Sequence, residues 1–265
     1  MLRIVVCVKA VPDPKRESDV KIDPATRKIL RGDVPLVLNP LDRNALEAAL
    51  QLSESNKGFI SVISMGPPAA KSIIKECLAL GADEGILLCD PPFAGADAYA
   101  TAYTLAKGIQ KISSFDVILC GMASSDGSTE MVGPELAVQL GIPVVTRVSE
   151  LIDSSGMNWV VKADFEDEFR KYRVKLPALF TVTKELNSPR TLSLSGVMRA
   201  QKKEIKEWGT KELDISEGLV GLRGSPTDVN RIMKTNQERE VEILSGTRTE
   251  IAEKLIQKLD RAGVI

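Results

Sequence analysis

The chain has 265 residues, enough for one large α/β domain with appendages. Its 35 Lys and Arg residues nearly balance 36 Asp and Glu residues, and the formal net charge of -1 argues against a dedicated nucleic-acid-binding protein. The chain contains no histidine, so it cannot by itself form a Ser-His-Asp triad, a Cys-His dyad or a His-ligated metal site.

Short β-branched runs alternate with helical patterns through the first 146 residues. The predicted strands are Arg3–Val8, Gly58–Ser64, Glu84–Cys89, Asp116–Cys120 and Pro143–Thr146. The predicted helices are Leu41–Ser55, Pro67–Leu80, Ala98–Ile112 and Glu130–Leu140. This alternation of apolar strands and helices predicts an α/β fold with a doubly wound, mostly parallel sheet covered on both faces.

Local signals predict where these helices begin and end. Asn39 is expected to be the N-cap of the first long helix, with Pro40 in its first turn. Gly81, Gly108 and Gly141 are expected to stop the three helices that follow.

Three further regions depart from this alternation. A small hairpin is expected over Asp19–Asp33, with its turn at Asp23–Thr26. Strands joined by tight turns are expected over 148–183, with a hairpin turn at Asp153–Gly156. The pattern then weakens until an amphipathic helix over Thr247–Ala262, whose apolar stripe is Ile251, Leu255 and Leu259. These changes predict an α/β domain with β-hairpins over 1–185, a loop and irregular linker over 186–246, and a C-terminal helical arm over 247–265.

The four cysteines occur singly, and none belongs to a CxxC pair, so no zinc or iron–sulfur site is expected. Three of them, Cys7, Cys89 and Cys120, lie in apolar runs, which indicates small buried side chains and fits a reducing cytoplasm. No segment approaches about 18 uninterrupted apolar residues, so we expect a cytoplasmic protein that does not insert into a membrane.

The loop over 121–134 is the richest in groups that could bind an anion. Its glycines allow close backbone approach, its Ser and Thr hydroxyls can donate, and a helix follows it. It is not a P-loop, because no Lys follows Gly127, and the chain has no GxGxxG. An equally weighted alternative is that Ser128 or Thr129 merely caps that helix.

Four other stretches carry two interpretations each. Gly66-Pro67-Pro68 is either a turn that faces a nucleotide or a simple helix start. The small residues over 93–101, with Asp97 as N-cap, either let a ligand approach the backbone or let the helix start pack tightly. The acidic run 164–168 indicates a solvated hairpin turn, and the basic run 199–206 a solvated helix face, rather than catalytic or binding clusters.

Several segments together resemble the beta subunit of electron transfer flavoproteins. They are VCVKAVPD at the start, Leu38-Asn39-Pro40, Ser64-Met65-Gly66-Pro67, Gly81-Ala82-Asp83, Asp126–Pro134, Tyr172–Ala178, Asn187–Arg190 and Met198–Lys203. The resemblance implies a fold similar to adenine-nucleotide alpha-hydrolase-like domains and a heterodimer with an alpha subunit. It also implies a bound nucleotide: AMP in conventional members, whose FAD the alpha subunit holds, or a second FAD in bifurcating members.

Two stretches resemble the bifurcating branch in particular: 93–104 and 125–134. Gly224-Ser225-Pro226-Thr227 also resembles that branch, whereas Ser128, Met131 and Met122 depart from its pattern. The resemblance then implies FAD as cofactor, NAD(H) as transient electron donor or acceptor, and ferredoxin or flavodoxin as low-potential carrier. It implies an acyl-CoA dehydrogenase-like or lactate dehydrogenase-like flavoenzyme as partner.

The resemblance assigns binding roles and no catalytic side chain. Nucleotide contacts are expected from Cys7, Lys9, Asn39, Asp42, Met65, Gly66, Asp126, Gly127, Ser128, Thr129, Glu130, Met131, Val132 and Gly133. Asp97, Thr101 and Thr104 are expected near the flavin ring, and Asp164 near the alpha-subunit flavin. The loop Thr191–Met198, with Leu194 as its anchor, is expected to dock the dehydrogenase.

A second hypothesis is a nucleotide-binding sensor on the same fold, without redox partners. It explains the anion-binding loop over 121–134, but it explains the C-terminal arm and the docking loop Thr191–Met198 less well. A hydrolase is a more distant third, because no nucleophile–base pair is visible.

Overall fold

The computed structural model describes residues 1–19, 21–22, 29–30, 34–112, 114–165, 167–228 and 241–265. Two compact units divide the chain, Met1–Asn230 and Arg231–Ile265, and each is described by itself.

The strands of the first unit are β1 (Arg3–Cys7), β2 (Ala10–Pro12), β3 (Lys21–Ile22), β4 (Ile29–Leu30), β5 (Leu36–Leu38), β6 (Phe59–Met65), β7 (Glu84–Leu88), β8 (Val117–Gly121), β9 (Val144–Asp153), β10 (Asn158–Phe165), β11 (Glu168–Lys175), β12 (Ala178–Val182) and β13 (Ile205–Trp208). The helices are α1 (Pro40–Asn56), α2 (Lys71–Leu80), α3 (Ala98–Lys111), α4 (Val132–Leu140), α5 (Leu194–Gln201), α6 (Thr210–Leu213) and α7 (Gly221–Gly224), with α8 (Arg248–Arg261) in the second unit.

One nine-stranded sheet organises the first unit, in the order β11-β10-β9-β12-β8-β1-β6-β7-β13. Strands β9, β12, β8, β1, β6, β7 and β13 are parallel, and β10 and β11 are antiparallel additions at one edge. Buried apolar clusters lie on both faces, one containing Leu46 of α1 and Ile74 of α2, the other Ile109 of α3 and Leu136 of α4. The predicted doubly wound, mostly parallel sheet is therefore confirmed.

Two of the three predicted glycine stops are confirmed. Gly81 and Gly141 follow the last residues of α2 and α4, with φ of 135° and 66°. Gly108 does not end a helix, because α3 continues to Lys111. A Cβ at position 108 would lie 2.8 Å from Cδ1 of Ile63, so this glycine lets α3 pack closely on the sheet.

The antiparallel regions follow the prediction in part. Strands β3 and β4 pair as a small hairpin, while its predicted turn at Asp23–Thr26 lies outside the described residues. Strands β10 and β11 form the hairpin expected around the acidic run.

The region predicted as an irregular linker contains a strand of the main sheet. Strand β13 pairs in parallel with β7, and Lys206 forms an ion pair with Glu84. Lys203 donates to the Ala82 carbonyl oxygen at 2.7 Å. The interpretation of 199–206 as one solvated helix face is therefore wrong beyond Gln201, and the first compact unit extends past the predicted boundary at 185.

Helix α8 agrees with the predicted C-terminal helix. The Thr247 hydroxyl accepts from the Glu250 N–H, and the Glu250 carboxylate accepts from the Thr247 N–H, which makes a capping box. Its apolar stripe includes Leu255, whose side chain is 47% exposed within this unit. Within the described ranges, no helix is long and apolar enough to cross a membrane.

Candidate functional site

The chain reverses its direction of sheet growth next to β1. It proceeds from β1 to β6 and β7 on one side, then returns to place β8 on the other side of β1. In open α/β sheets, ligands bind at such a switch point, outside the carboxyl ends of the strands. The loops that follow Cys7 and Gly121 therefore form the edges of the candidate site, which we call the switch crevice.

Asp42 joins the two edges of the switch crevice. Its carboxylate accepts the Lys9 N–H at 2.8 Å and the Gly121 N–H at 2.9 Å, so one buried side chain fixes the ends of β1 and β8. Burial raises the pKa of Asp42 to about 6 from 3.8, against the lowering effect of hydrogen bonds from Asn39, Lys9 and Gly121.

Asn39 occupies the predicted N-cap position of α1, but its side chain does not cap the helix. Its amide nitrogen donates to the Ala123 carbonyl oxygen at 2.9 Å, and its Oδ1 accepts the Ser125 N–H at 3.1 Å. The Asn39 N–H donates to the Lys9 carbonyl oxygen. The Asn39 side chain therefore organises the loop after β8 rather than the helix, and its predicted contact with a nucleotide stays a prediction.

Lys9 crosses the crevice to the loop that the sequence singled out. Its Nζ lies 2.6 Å from Asp126 Oδ1 and 3.2 Å from Ser124 Oγ. A Cβ at Gly127 would lie 3.4 Å from Ser124 Oγ and 3.9 Å from Lys9 Nζ, so glycine keeps this space open beside the ammonium group. The backbone can therefore approach a ligand here.

We define the nucleotide loop as residues 122–131, between β8 and α4. Ser128 and Glu130 both have left-handed backbones, with φ of 47° and 56°, which is uncommon outside glycine. Within the part of the chain that the structure describes, the N–H groups of Gly127, Thr129 and Glu130 have no acceptor. Alternating handedness of this kind turns successive N–H groups into an anion-binding concavity.

Helix α4 begins at Val132, two residues later than predicted, and no side chain caps it. The hypothesis that Ser128 or Thr129 serves as its cap is therefore wrong. The first turn of α4 directly follows the nucleotide loop, and the N-terminus of a helix suits an anion. Gly133 permits the helix to sit there, because a Cβ would lie 2.4 Å from Cγ2 of Thr181.

The remaining predicted nucleotide contacts lie at neighbouring strand ends. Cys7 and Cys120 are register partners on β1 and β8, and burial raises the pKa of both thiols. Met65 and Gly66 lie at the end of β6, where the Gly66 N–H donates to the Leu88 carbonyl oxygen. A short 3-10 turn over Pro68–Ala70 precedes α2, so the predicted helix start at Pro67 shifts to Lys71.

The three residues expected near the flavin ring differ in their availability. Asp97 caps α3, as predicted, by accepting the Ala100 N–H at 3.0 Å. Its other carboxylate oxygen accepts the N–H and hydroxyl of Thr227 at 3.0 and 2.7 Å. Thr101 is half-buried, while Thr104 is fully buried and donates to the Ala100 carbonyl oxygen.

Arg147 links the nucleotide loop to the hairpin, and sequence reasoning missed it. Its Nε donates to the Asp164 carbonyl oxygen at 3.0 Å, and its Nη1 lies 3.5 Å from Glu130 Oε2. Its φ of 60° is unusual for a long side chain. It lines a cavity of about 300 Å³ together with Phe165, Asp167 and Glu168. No local pattern marks this residue, because its partners lie in other segments.

The predicted docking segment is ordered rather than an open loop. Helix α5 begins at Leu194, whose side chain is 80% exposed, with Leu192 and Met198 exposed beside it. The preceding Arg190 binds the buried Glu47 of α1 through Nε at 2.8 Å and also pairs with Glu54. An apolar surface patch is thus held on a fixed support.

Comparisons with known proteins agree with this architecture. A family model described as the electron transfer flavoprotein domain matches residues 26–213. The chain belongs to the electron transfer flavoprotein family. The electron transfer flavoprotein subunit beta of Thermoanaerobacterium thermosaccharolyticum is 42% identical over 265 residues, covering 100% of both chains.

Two further relatives belong to named systems. The caffeyl-CoA reductase-Etf complex subunit CarD of Acetobacterium woodii is 42% identical over 266 residues, covering 100% of both chains. Protein FixA of Azorhizobium caulinodans is 35% identical over 246 residues, covering 90% of this chain and 86% of that protein. The sequence resemblance to beta subunits of this flavin-associated family is confirmed, and with it a role in electron transfer.

Proposed function

We propose that this electron transfer flavoprotein beta subunit binds FAD in the switch crevice and belongs to the bifurcating branch. With an alpha subunit it would move electrons between NAD(H), a low-potential ferredoxin or flavodoxin, and a partner flavin dehydrogenase. The observation that carries the nucleotide site is the nucleotide loop, which the Lys9–Asp126 ion pair ties across the crevice and in which three N–H groups have no acceptor among the described residues.

The residues present fit the phosphate groups of such a cofactor. The N–H groups of Gly127, Thr129 and Glu130 and the first turn of α4 can donate to phosphate oxygens, and Lys9 supplies a positive charge. The Asn39 side chain holds the loop through the Ala123 carbonyl oxygen and the Ser125 N–H, and Asp42 fixes the strand ends at Lys9 and Gly121 on either side of the crevice. A flavin bound there would supply hydride acceptance and single-electron transfer, while this chain supplies binding and orientation.

FAD and AMP share the adenosine and phosphate portion, so the phosphate cradle alone does not choose between them. The choice of FAD is supported by the stretches 93–104 and 125–134, which resemble the bifurcating branch. Ser128 and Met131 depart from that pattern, and both lie in the nucleotide loop, where Met131 is exposed. A conventional subunit with structural AMP is the second candidate.

The decisive experiment is to extract cofactors from the co-purified alpha–beta dimer and to quantify FAD and AMP. Two FAD per dimer, bleached by NADH, would support the proposal, and one FAD with one AMP would reject it in favour of the conventional subunit. Asn39→Ala should lower occupancy of the beta-subunit site, because it frees the Ala123 carbonyl and the Ser125 N–H. Asn56→Ala, which removes a bond to Leu52 at the far end of α1, is the matched control.

The second compact unit supports a heterodimer. In α8, Ile251, Leu255 and Leu259 make an apolar stripe at helical spacing, typical of a helix that packs on a partner. We propose that this stripe binds the alpha subunit. Deleting the chain after Thr247 should release the alpha subunit during purification, whereas unchanged co-purification would contradict this assignment.

The exposed patch at the start of α5 supports dehydrogenase docking. Leu194 and its neighbours form an apolar contact that the Arg190–Glu47 ion pair holds to α1. Leu194→Glu should raise the KM for the dehydrogenase at least tenfold, because it removes the apolar contact. The flavin content should stay unchanged, because the Leu194 side chain is exposed to solvent in this chain. An unaltered KM would refute the docking role.

A further inference from the structure

The outward side of the β10–β11 hairpin carries four basic side chains and one carboxylate, that of Asp164. We define the basic face by its residues Lys162, Phe169, Lys171, Arg173 and Lys175. The strand register places Lys162 directly opposite Lys171, and Arg173 opposite Val160, all on one side of the sheet. The other side holds the buried Trp159, Val161 and Ala163. Like charges directly opposite each other destabilise a sheet, so this arrangement costs stability.

Few of these charges are neutralised within the chain. Lys162 pairs with Glu150 of β9 at 2.8 Å, but Lys171, Arg173 and Lys175 have no carboxylate within 4.0 Å in the described residues. Asp153, the other acidic residue on this side of β9, accepts the N–H and hydroxyl of Ser155 at 2.9 and 2.6 Å. Glu150 and Asp153 attract Lys171 and Arg173, respectively, at longer range. The edge strand β11 therefore presents three cations without a close ion pair among the described residues.

An apolar anchor lies among these cations. Phe169 is 65% exposed, and the Lys162 ammonium lies 5.0 Å from its ring centroid. Aromatic side chains and Arg are enriched in protein interfaces, whereas charged residues such as Lys belong to the polar rim. An exposed aromatic ring surrounded by basic residues is complementary to an acidic protein surface that contains an apolar patch.

The basic face is continuous with the nucleotide loop. Phe169 is the register partner of Asp164, whose carbonyl oxygen accepts from Arg147 Nε. The same guanidinium lies 3.5 Å from Glu130 in the nucleotide loop. A protein seated on this face would therefore lie next to the segment that holds the proposed cofactor, which suits an electron-transfer partner.

We propose that the basic face docks a small acidic electron-carrier protein, an inference that rests on the proposed function. Complementary charge would steer the carrier and raise its association rate, and this effect falls as salt increases. An alternative explanation is that the cations protect the edge strand from pairing with another copy. Charge reversal separates the two, because glutamates on the edge would still prevent pairing but would repel an acidic carrier.

The test measures binding of purified flavodoxin, as the acidic probe, to the alpha–beta dimer at low and moderate salt. Lys171→Glu/Arg173→Glu should raise the Kd at least tenfold and abolish its salt dependence. Phe169→Ser should also weaken binding. The matched control is Lys15→Glu/Lys211→Glu, which makes the same charge change on exposed residues elsewhere and should leave the Kd within twofold.

The remaining outcomes would each overturn the proposal. They are no binding to the wild-type dimer, an unchanged Kd in the reversed variant, or loss of the alpha subunit from that variant, which would make the face a subunit contact. Self-association of Lys171→Gln/Arg173→Gln with flavodoxin binding retained would assign the cations to edge protection. Cofactor content and bleaching by NADH are measured on the same samples, so failure of the proposed function is seen separately.

Discussion

Replacing Asp42 by Asn tests whether a buried carboxylate holds the two edges of the switch crevice. The substitution keeps the shape, but the new amide can accept from only one of the two N–H groups, those of Lys9 and Gly121. The other of these two N–H groups then faces the NH2 group of the new Asn side chain, which can only donate. Losing a hydrogen bond to a charged group costs about 1.5–3 kcal/mol. This cost is offset, because a neutral amide is easier to bury than a carboxylate.

The offset depends on pH, and its sign follows from the direction of the pKa shift. The folded pKa of Asp42 is about 6, above its usual 3.8, so the stability from this group is fully present below the lower value and lost as the pH rises through 6. The full shift in the pKa of Asp42 corresponds to about 3 kcal/mol of unfolding free energy, and about 2 kcal/mol of this is lost between pH 4.5 and 7.5.

The assay compares urea unfolding of the wild-type and Asp42→Asn dimers across that pH range. The free energy of unfolding of the wild type minus that of the variant should fall by about 2 kcal/mol from pH 4.5 to 7.5. Asp83→Asn is the control, because this exposed carboxylate also accepts a strand N–H, from Ile60 at 2.9 Å. A difference that does not change with pH would refute the burial argument.

Three further substitutions test separate parts of the structure. Gly133→Ala should cost about 1–3 kcal/mol in thermal unfolding and lower nucleotide content, because the new Cβ would displace α4 from Thr181. Arg190→Ala should cost about 1–3 kcal/mol in urea and raise the KM for the dehydrogenase, because the buried Glu47 loses its ion pair. Thr104→Val should leave cofactor content unchanged, because the hydroxyl is buried on Ala100; a lost cofactor would show that the side chain reaches the ligand.

The central sheet could be predicted because its signals are local. Strands β1, β6, β7 and β8 are short apolar runs whose side chains are buried on both faces, and glycines mark the ends of α2 and α4. Strand β13 was missed for the opposite reason. Its sequence, Ile-Lys-Glu-Trp, is only half-buried and lies in a charged run, and its pairing with β7 depends on a distant segment.

In the candidate site, too, the features that are local in the sequence could be predicted, and the contacts between distant segments could not. The glycines and hydroxyls of the nucleotide loop could be recognised in the sequence, whereas the contacts that shape it could not. Asn39 has the pattern of a helix cap, yet its side chain binds Ala123 and Ser125, more than 80 residues away. Arg147 has no distinguishing pattern, and its contacts with Glu130 and Asp164 exist only in the folded chain.

The hydrogen bonds of Asp97 reduce the number of side chains that could contact the proposed flavin. The sequence marks it both as a helix cap and as a flavin neighbour, and the structure gives its carboxylate the cap bond and two bonds from Thr227. Burial alone would raise the pKa of Asp97, but bonds from Ala100 and Thr227 hold it below its usual value. A carboxylate that already accepts three hydrogen bonds has little capacity for a flavin donor. Thr101 and the backbone of the segment before α3 are therefore better candidates for direct contact than the Asp97 side chain.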